Sequence, residues 1–263
     1  MLTRRSLIIS LFFLSFSILS HSAEVKYDPN SSLLPSKNDT IFIIGTIEKG
    51  DYEKVKKEIL GSKSTTRLEI KTPGGDIVEA MKIGRFVRET LIEVVPSRSG
   101  ECSSAGAFIW LASVKRFPGK RIGIHRPYFD RNYFSELTMK EAKIEYNELE
   151  KDVKNYLYEM EVPKKYINKI YEIPSGDMYY LTKKEILDLS YISIPPSYEE
   201  WIISKCGMLN ENEKKEYIRI FNKVLNNIKT TKAEDSFLKL YYKKSDCAAE
   251  AHRRERQRIL NSL

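Results

Sequence analysis

The chain has 263 residues, of which 41% are hydrophobic and 30% charged, and its formal net charge at pH 7 is +8. This composition is ordinary for a globular protein and favours one main domain with an appendage. Lysine and glutamate are interspersed without long runs of like charge, so the basic balance predicts a solvated surface and argues against a nucleic-acid partner.

The N-terminus has the order of a secretory signal peptide over residues 1–23. Arg4 and Arg5 precede an apolar stretch at 6–20, and the small residues Ser22 and Ala23 follow. The apolar stretch is shorter than the roughly 20 residues that a membrane-spanning helix needs. We therefore expect a periplasmic or secreted protein that is cleaved near Ala23. A retained N-terminal membrane anchor is the alternative.

Residues 24–38 are polar, contain Pro, Asn and Ser, and predict a flexible leader. Beyond them, short apolar runs alternate with segments of helical periodicity, which is typical of an α/β fold with parallel strands. We expect this domain to span residues 39–194. The predicted strands lie at 41–44, 67–70, 92–95 and 121–124, and the predicted helices at 52–60, 77–87 and 104–113.

Two further helical regions follow in the sequence. Residues 135–160 are charged with spaced apolar positions and predict a long amphipathic helix, either projecting or packed on a neighbouring subunit. This helix favours a homo-oligomer. Residues 195–263 become helical, basic and tyrosine-rich after a Pro-Pro pair, and predict a helical C-terminal extension.

The chain contains three cysteines, Cys102, Cys206 and Cys247. In an oxidising compartment an odd count leaves at least one of them unpaired. Cys206 and Cys247 both lie in the C-terminal region, whereas Cys102 is beside a candidate catalytic serine. We therefore expect a disulfide between Cys206 and Cys247.

Four motifs in chain order could together supply acyl-transfer chemistry, which needs a nucleophile, a base, a group that orients the base and oxyanion donors. Ser104 begins an apolar helix, where backbone N–H groups are unpaired, although a helix N-cap is the simpler use of such a serine. His125 is the candidate base. The motifs are Thr72-Pro73-Gly74-Gly75-Asp76, Cys102-Ser103-Ser104-Ala105-Gly106-Ala107-Phe108, Ile122-Gly123-Ile124-His125-Arg126-Pro127 and Gly176-Asp177-Met178-Tyr179-Tyr180-Leu181-Thr182.

Two roles are less well defined by the residues themselves. Asp177 could orient the imidazole, but Asp76 and Asp130 are available by residue type, and the sequence does not choose among them. The glycine pair Gly74-Gly75 permits close backbone approach, so that the N–H of Gly75 could point into a cleft. A phosphate-binding loop is the rival interpretation of this turn, but it lacks the required lysine and glycine spacing.

In combination, the four motifs make residues 40–192 resemble the ClpP family of serine peptidases, in the ClpP/crotonase superfamily. The family's Ser-x-Gly-Ala-Phe and Ile-His-x-Pro motifs match at Ser104 and His125, and its Asp segment matches more loosely at Asp177. The resemblance implies a Ser104-His125-Asp177 triad, with the N–H groups of Gly75 and Ala105 as the oxyanion hole. It also implies a spiral of β-β-α units.

The resemblance implies a serine peptidase that cleaves peptide bonds in peptide or protein substrates. The sequence has no constellation of metal-ligating residues and implies no cofactor. Thr72 stands where the family has serine, and an extra residue shifts the Asp segment. Export would separate the chain from ATP-driven unfoldases, so we expect ATP-independent activity and no ATPase partner. Two alternatives remain: an acyl-CoA enzyme of the crotonase type, and a non-catalytic binding or scaffold module on the same fold.

Overall fold

The computed structural model describes residues 23–28, 40–62, 64–128, 135–207 and 210–263. The predicted signal peptide lies outside these ranges up to residue 22, as do residues 29–39 and Asp130.

The first sheet has four strands in the order β1-β2-β3-β4. Strands β2, β3 and β4 are parallel, as the strand-helix alternation predicts, whereas β1 runs antiparallel to β2. Residues 24–28, at the start of the predicted leader, therefore form an edge strand, and the side chain of Val25 packs against the core. The strands are β1 (Glu24–Asp28), β2 (Thr40–Ile44), β3 (Arg67–Lys71) and β4 (Glu93–Pro96).

A second, smaller sheet carries the segments that hold the candidate site. Its strands are β5 (Cys102–Ser103), β6 (Ile122–Ile124) and β7 (Tyr179–Tyr180), with β5 parallel and β7 antiparallel to β6. A parallel bridge between Thr72 and Cys102 links the two sheets. The fold is thus mixed α/β, with antiparallel strands in addition to the parallel ones expected.

Helices surround the sheets, and the most buried of them is α3. All eight residues of α3 are apolar or small and are buried, and α3 packs against α2. The helices are α1 (Asp51–Ser62), α2 (Ile77–Thr90), α3 (Ala105–Ala112), α4 (Met139–Glu159), α5 (Lys164–Glu172), α6 (Lys183–Leu187), α7 (Pro196–Cys206), α8 (Glu211–Leu225) and α9 (Lys232–Ser262).

Helix α4 corresponds to the long amphipathic helix expected from the sequence, and its two halves differ. The C-terminal half packs on its own domain: Tyr156 is buried, and its hydroxyl donates a hydrogen bond of 2.9 Å to the carbonyl oxygen of Phe108. In the N-terminal half, Met139 is 92% exposed and Ile144 47% exposed. Only the N-terminal half therefore has the character of a projecting arm.

The C-terminal extension is helical, as expected, and is fastened to the α/β core. The expected disulfide joins Cys206 at the end of α7 to Cys247 in α9, while Cys102 is a free, buried thiol. The Tyr198 hydroxyl lies 2.9 Å from Nδ1 of His252 in α9. Over the ranges given above, no helix combines the length and apolarity needed to cross a membrane.

Candidate active site

Ser104 occupies the junction between β5 and α3 in an unusual backbone conformation. Its φ is 52° and its ψ is −121°, a region that L-residues avoid, and its amide donates to the carbonyl oxygen of Gly123 at 2.9 Å. A non-glycine residue held in such a region costs on the order of 1–3 kcal/mol, and such strain is concentrated at functional sites. The side chain makes no capping hydrogen bond, so the hydroxyl is not used as an N-cap.

The hydroxyl of Ser104 is hydrogen-bonded to His125, with 2.8 Å between Oγ and Nε2. The other ring nitrogen, Nδ1, lies 2.9 Å from the carbonyl oxygen of Arg126. A carbonyl oxygen can only accept, so Nδ1 carries the hydrogen and Nε2 presents its lone pair to the serine hydroxyl. This tautomer is the one that can take the serine proton.

His125 directly follows β6, and its side chain is largely shielded from solvent. The segment behind it is fixed by Arg126, whose amide donates to Ile173 O at 3.0 Å and whose guanidinium Nε donates to Tyr171 O at 3.0 Å. The His125 side chain is buried, and this burial lowers its pKa below the ordinary value of 6.5. The imidazole is therefore neutral at pH 7, as a general base must be.

The glycine turn packs directly against the serine. A Cβ atom at Gly74 would lie 2.6 Å from Ser104 Cβ, and one at Gly75 would lie 2.1 Å from the carbonyl oxygen of Ile47. Both glycines have positive φ, 128° and 134°. The Thr72 hydroxyl closes the turn by accepting from the Gly74 amide and donating to its carbonyl, each at 3.0 Å. A serine could make the same two bonds.

Two backbone amides beside Ser104 have no acceptor within the described ranges. Gly75 lines the cleft that contains Ser104, and Ala105 is the first residue of α3, where helical N–H groups lack a partner. Unpaired amides next to a nucleophile can stabilise the oxygen on which negative charge develops during acyl transfer.

Asp177 lies in the wall of the same cleft, and its side chain is exposed. The structure gives it no hydrogen bond to His125, whose Nδ1 is bonded to the Arg126 carbonyl oxygen instead. Of the other two aspartates considered, Asp76 caps α2 by accepting from the amides of Val78 and Glu79, and Asp130 lies outside the described residues. The structure thus brings Ser104 and His125 into contact and leaves Asp177 nearby.

The cleft encloses about 890 Å³, and one of its walls is α4. The amphipathic pattern of this helix predicts an arm, so no residue of α4 was expected at the site. The available signal was the recurrence of carboxylates at Glu145, Glu148 and Asp152, spaced three and four residues apart on one helical face.

Two of the three comparisons with known proteins give a match. The family model of Clp protease matches residues 21–181, more than half of the chain. Among solved structures, the chain is similar to a mutant of ClpP1 from Listeria monocytogenes, with 22% identity and a TM-score of 0.45 over 59% of this chain and 88% of that chain. The comparison with curated proteins gives no match. From the family match, we conclude that the chain belongs to the Clp protease family.

Proposed function

We propose that this protein is an exported, ATP-independent serine hydrolase that cleaves peptide bonds. The observation that carries the proposal is the 2.8 Å hydrogen bond between Ser104 Oγ and His125 Nε2, in the correct tautomer and at the edge of an open cleft. The unpaired amides of Gly75 and Ala105 and the membership of the Clp protease family support the same reaction class.

In the proposed mechanism, Ser104 Oγ attacks the carbonyl carbon of the scissile bond while its proton passes to Nε2 of His125. The carbonyl oxygen becomes an oxyanion that accepts hydrogen bonds from the N–H groups of Gly75 and Ala105. The intermediate collapses to an acyl-enzyme as His125 gives the proton to the departing amine. Water then attacks the acyl carbon while His125 takes its proton. The bond between this carbon and Ser104 Oγ breaks, His125 returns the proton to Oγ, and the acid is released.

Asp177 is proposed as a positioning residue for His125, on the strength of its family motif and its place in the cleft wall. The Arg126 carbonyl already fixes the imidazole tautomer at 2.9 Å. A carboxylate near Nδ1 would add stabilisation to the imidazolium that forms during the reaction. Its contribution should therefore be smaller than that of Ser104 or His125.

Export is proposed from the order of basic, apolar and small residues over positions 1–23. The Cys206–Cys247 disulfide supports it, since such bridges persist in oxidising compartments. Intact-mass measurement of the protein isolated from its native cell should give a mature chain that begins near residue 24. A chain that keeps Met1 and remains in the cytosol would contradict export and would reopen ATP-coupled activity.

Hydrolysis of an internally quenched peptide library tests the reaction. Ser104→Ala and His125→Ala should each lower kcat/KM by roughly 10⁶-fold, and the double variant should be hardly worse than either single one, because the two groups act in one step. Asp177→Asn should lower it by less than about tenfold, because the carbonyl still holds Nδ1.

Circular dichroism and thermal unfolding should show that each variant remains folded. A folded Ser104→Ala protein that retains full activity would rule out the proposed mechanism. Failure of the wild-type protein to cleave any peptide or ester, together with tight binding of a peptide, would instead favour the scaffold alternative.

A further inference from the structure

The cleft around Ser104 has an acidic wall, although the chain as a whole is basic. Its carboxylates come from separate parts of the chain, including the glycine turn, α4 and the segment before β7. Within the described ranges, no lysine or arginine lines the cleft. The carboxylates are those of Glu48, Asp76, Glu145, Glu148, Asp152 and Asp177.

Several of these negative charges are not neutralised by neighbours. Glu148 and Asp152 lie one turn apart on α4, both are exposed, and neither forms an ion pair with another described residue. Asp177 is exposed and likewise makes no ion pair there. Asp76 accepts two backbone amides and lies close enough to Lys82 to help raise the pKa of that lysine, so its charge is partly offset. Among the residues that the structure describes, the lining of the cleft therefore carries a net negative charge.

Acidic side chains alone would not define a binding site. Here they surround the Ser104–His125 pair, which by its own geometry points to an acyl substrate. The cleft also has apolar surface from Val78 and Tyr128, which are 42% and 54% exposed. A long aliphatic stem that ends in a cation matches this combination, because the stem can lie on the apolar surface while its head reaches the carboxylates.

We propose that the cleft selects polypeptides that carry lysine or arginine close to the scissile bond. The hydrolytic part of this inference rests on the proposed function, whereas the charge preference concerns binding and can be measured without turnover. A concave site lined by one sign of charge concentrates ligands of the opposite sign, and salt weakens the effect.

The test uses quenched peptides of one sequence in which a single residue next to the cleavage site is Lys, Gln or Glu. We expect kcat/KM to fall in that order, with Lys favoured over Glu by about tenfold at low ionic strength and by much less at about 0.5 M salt. The double variant Glu148→Gln/Asp152→Asn should reduce the ratio to roughly threefold or below.

The matched control is Glu200→Gln/Asp246→Asn. It removes the same two charges from exposed positions on α7 and α9, away from the cleft. The control should leave the Lys-to-Glu ratio at its wild-type value. An equal loss of preference in the control variant would show that overall charge, and not the cleft, is responsible, and would overturn the inference.

Binding of the Lys and Glu peptides to the Ser104→Ala protein, measured by fluorescence anisotropy, separates the charge preference from the proposed hydrolysis. Equal cleavage and equal binding of the Lys and Glu peptides would overturn the charge preference and leave the proposed hydrolase intact. The wild-type protein could instead cleave no peptide and still bind the Lys peptide more tightly than the Glu peptide. If the Glu148→Gln/Asp152→Asn variant then abolishes this difference in binding, the charge preference stands and the proposed function fails.

Discussion

The contact between Ser104 and His125 depends on the local backbone conformation, which the residue types do not reveal. The serine lies at φ 52°, and the imidazole is oriented by the carbonyl of the next residue, Arg126. The motifs single out both side chains as a candidate pair, and the structure brings them into contact. The motifs could not reveal the carbonyl partner, because any residue supplies a carbonyl, and so the orienting role was sought among aspartates.

The pH dependence of hydrolysis follows from the state of His125. Only the neutral imidazole accepts the serine proton, and burial lowers the His125 pKa below 6.5. We therefore predict that kcat/KM rises with pH through a midpoint below 6.5 and is level from about pH 7 until other groups titrate. A rate profile with a peptide ester, measured where the protein remains folded, checks this. A midpoint clearly above 6.5 would contradict the proposed environment of the base.

At the level of elements, the sequence predicts segments with clear periodicity better than it predicts short strands. The predicted ends of the helices that correspond to α1, α2 and α3 lie within three residues of the observed ends. Strands β5 and β7 have two residues each, too few for alternation to be detected. Strand β1 lies in the polar segment 24–38, whose composition predicts a flexible leader. Its pairing with β2 depends on contacts with a different segment of the chain, which composition does not reveal.

Helix α4 carries a prediction about self-association. Its N-terminal half exposes Met139 and Ile144 and packs less on its own domain than the C-terminal half does. We predict that the protein forms oligomers through this half, because burying Met139 and Ile144 against another subunit would remove their apolar surface from water. Light scattering at tens of micromolar should give a mass above that of a monomer, and Met139→Glu/Ile144→Glu should reduce it to the monomer value.

A matched control for α4 uses exposed apolar residues elsewhere. Ile203 in α7 and Leu240 in α9 are 43% and 49% exposed. The Ile203→Glu/Leu240→Glu variant introduces the same charges and should leave the assembly unchanged. A monomeric wild-type protein, or an assembly that persists after the α4 substitutions, would place subunit contacts elsewhere or exclude them.

For the whole molecule, the C-terminal extension is joined to the core by packing and by one covalent link. The Cys206–Cys247 disulfide closes a loop over a separation of 41 residues. Chain-entropy arguments give at most about 4 kcal/mol of stabilisation for such a loop. We predict that reductant lowers the denaturant midpoint of the wild-type protein but not that of Cys206→Ala/Cys247→Ala. A wild-type midpoint that is insensitive to complete reduction would contradict a stabilising role for the bridge.

The cleft is also a property of the whole molecule, and this is why the sequence did not reveal it. Glu48, Asp76, Glu148 and Asp177 are far apart along the chain and meet only when the two sheets and α4 assemble. The catalytic motifs could be recognised from residue order because each is short and contiguous. The negative charge of the cleft around these motifs could not be recognised in this way, because it depends on which face of α4 turns towards the cleft.

The central claim is that Ser104 is an activated nucleophile, and a fluorophosphonate probe tests it most directly. The matched control is the neighbouring Ser103, whose hydroxyl donates to Glu101 at 2.8 Å and does not contact His125. We predict covalent labelling mapped by mass spectrometry to Ser104, retained in a folded Ser103→Ala protein and lost in Ser104→Ala and His125→Ala. Labelling that persists in Ser104→Ala, or its absence from folded wild-type protein at pH 8, would contradict the account.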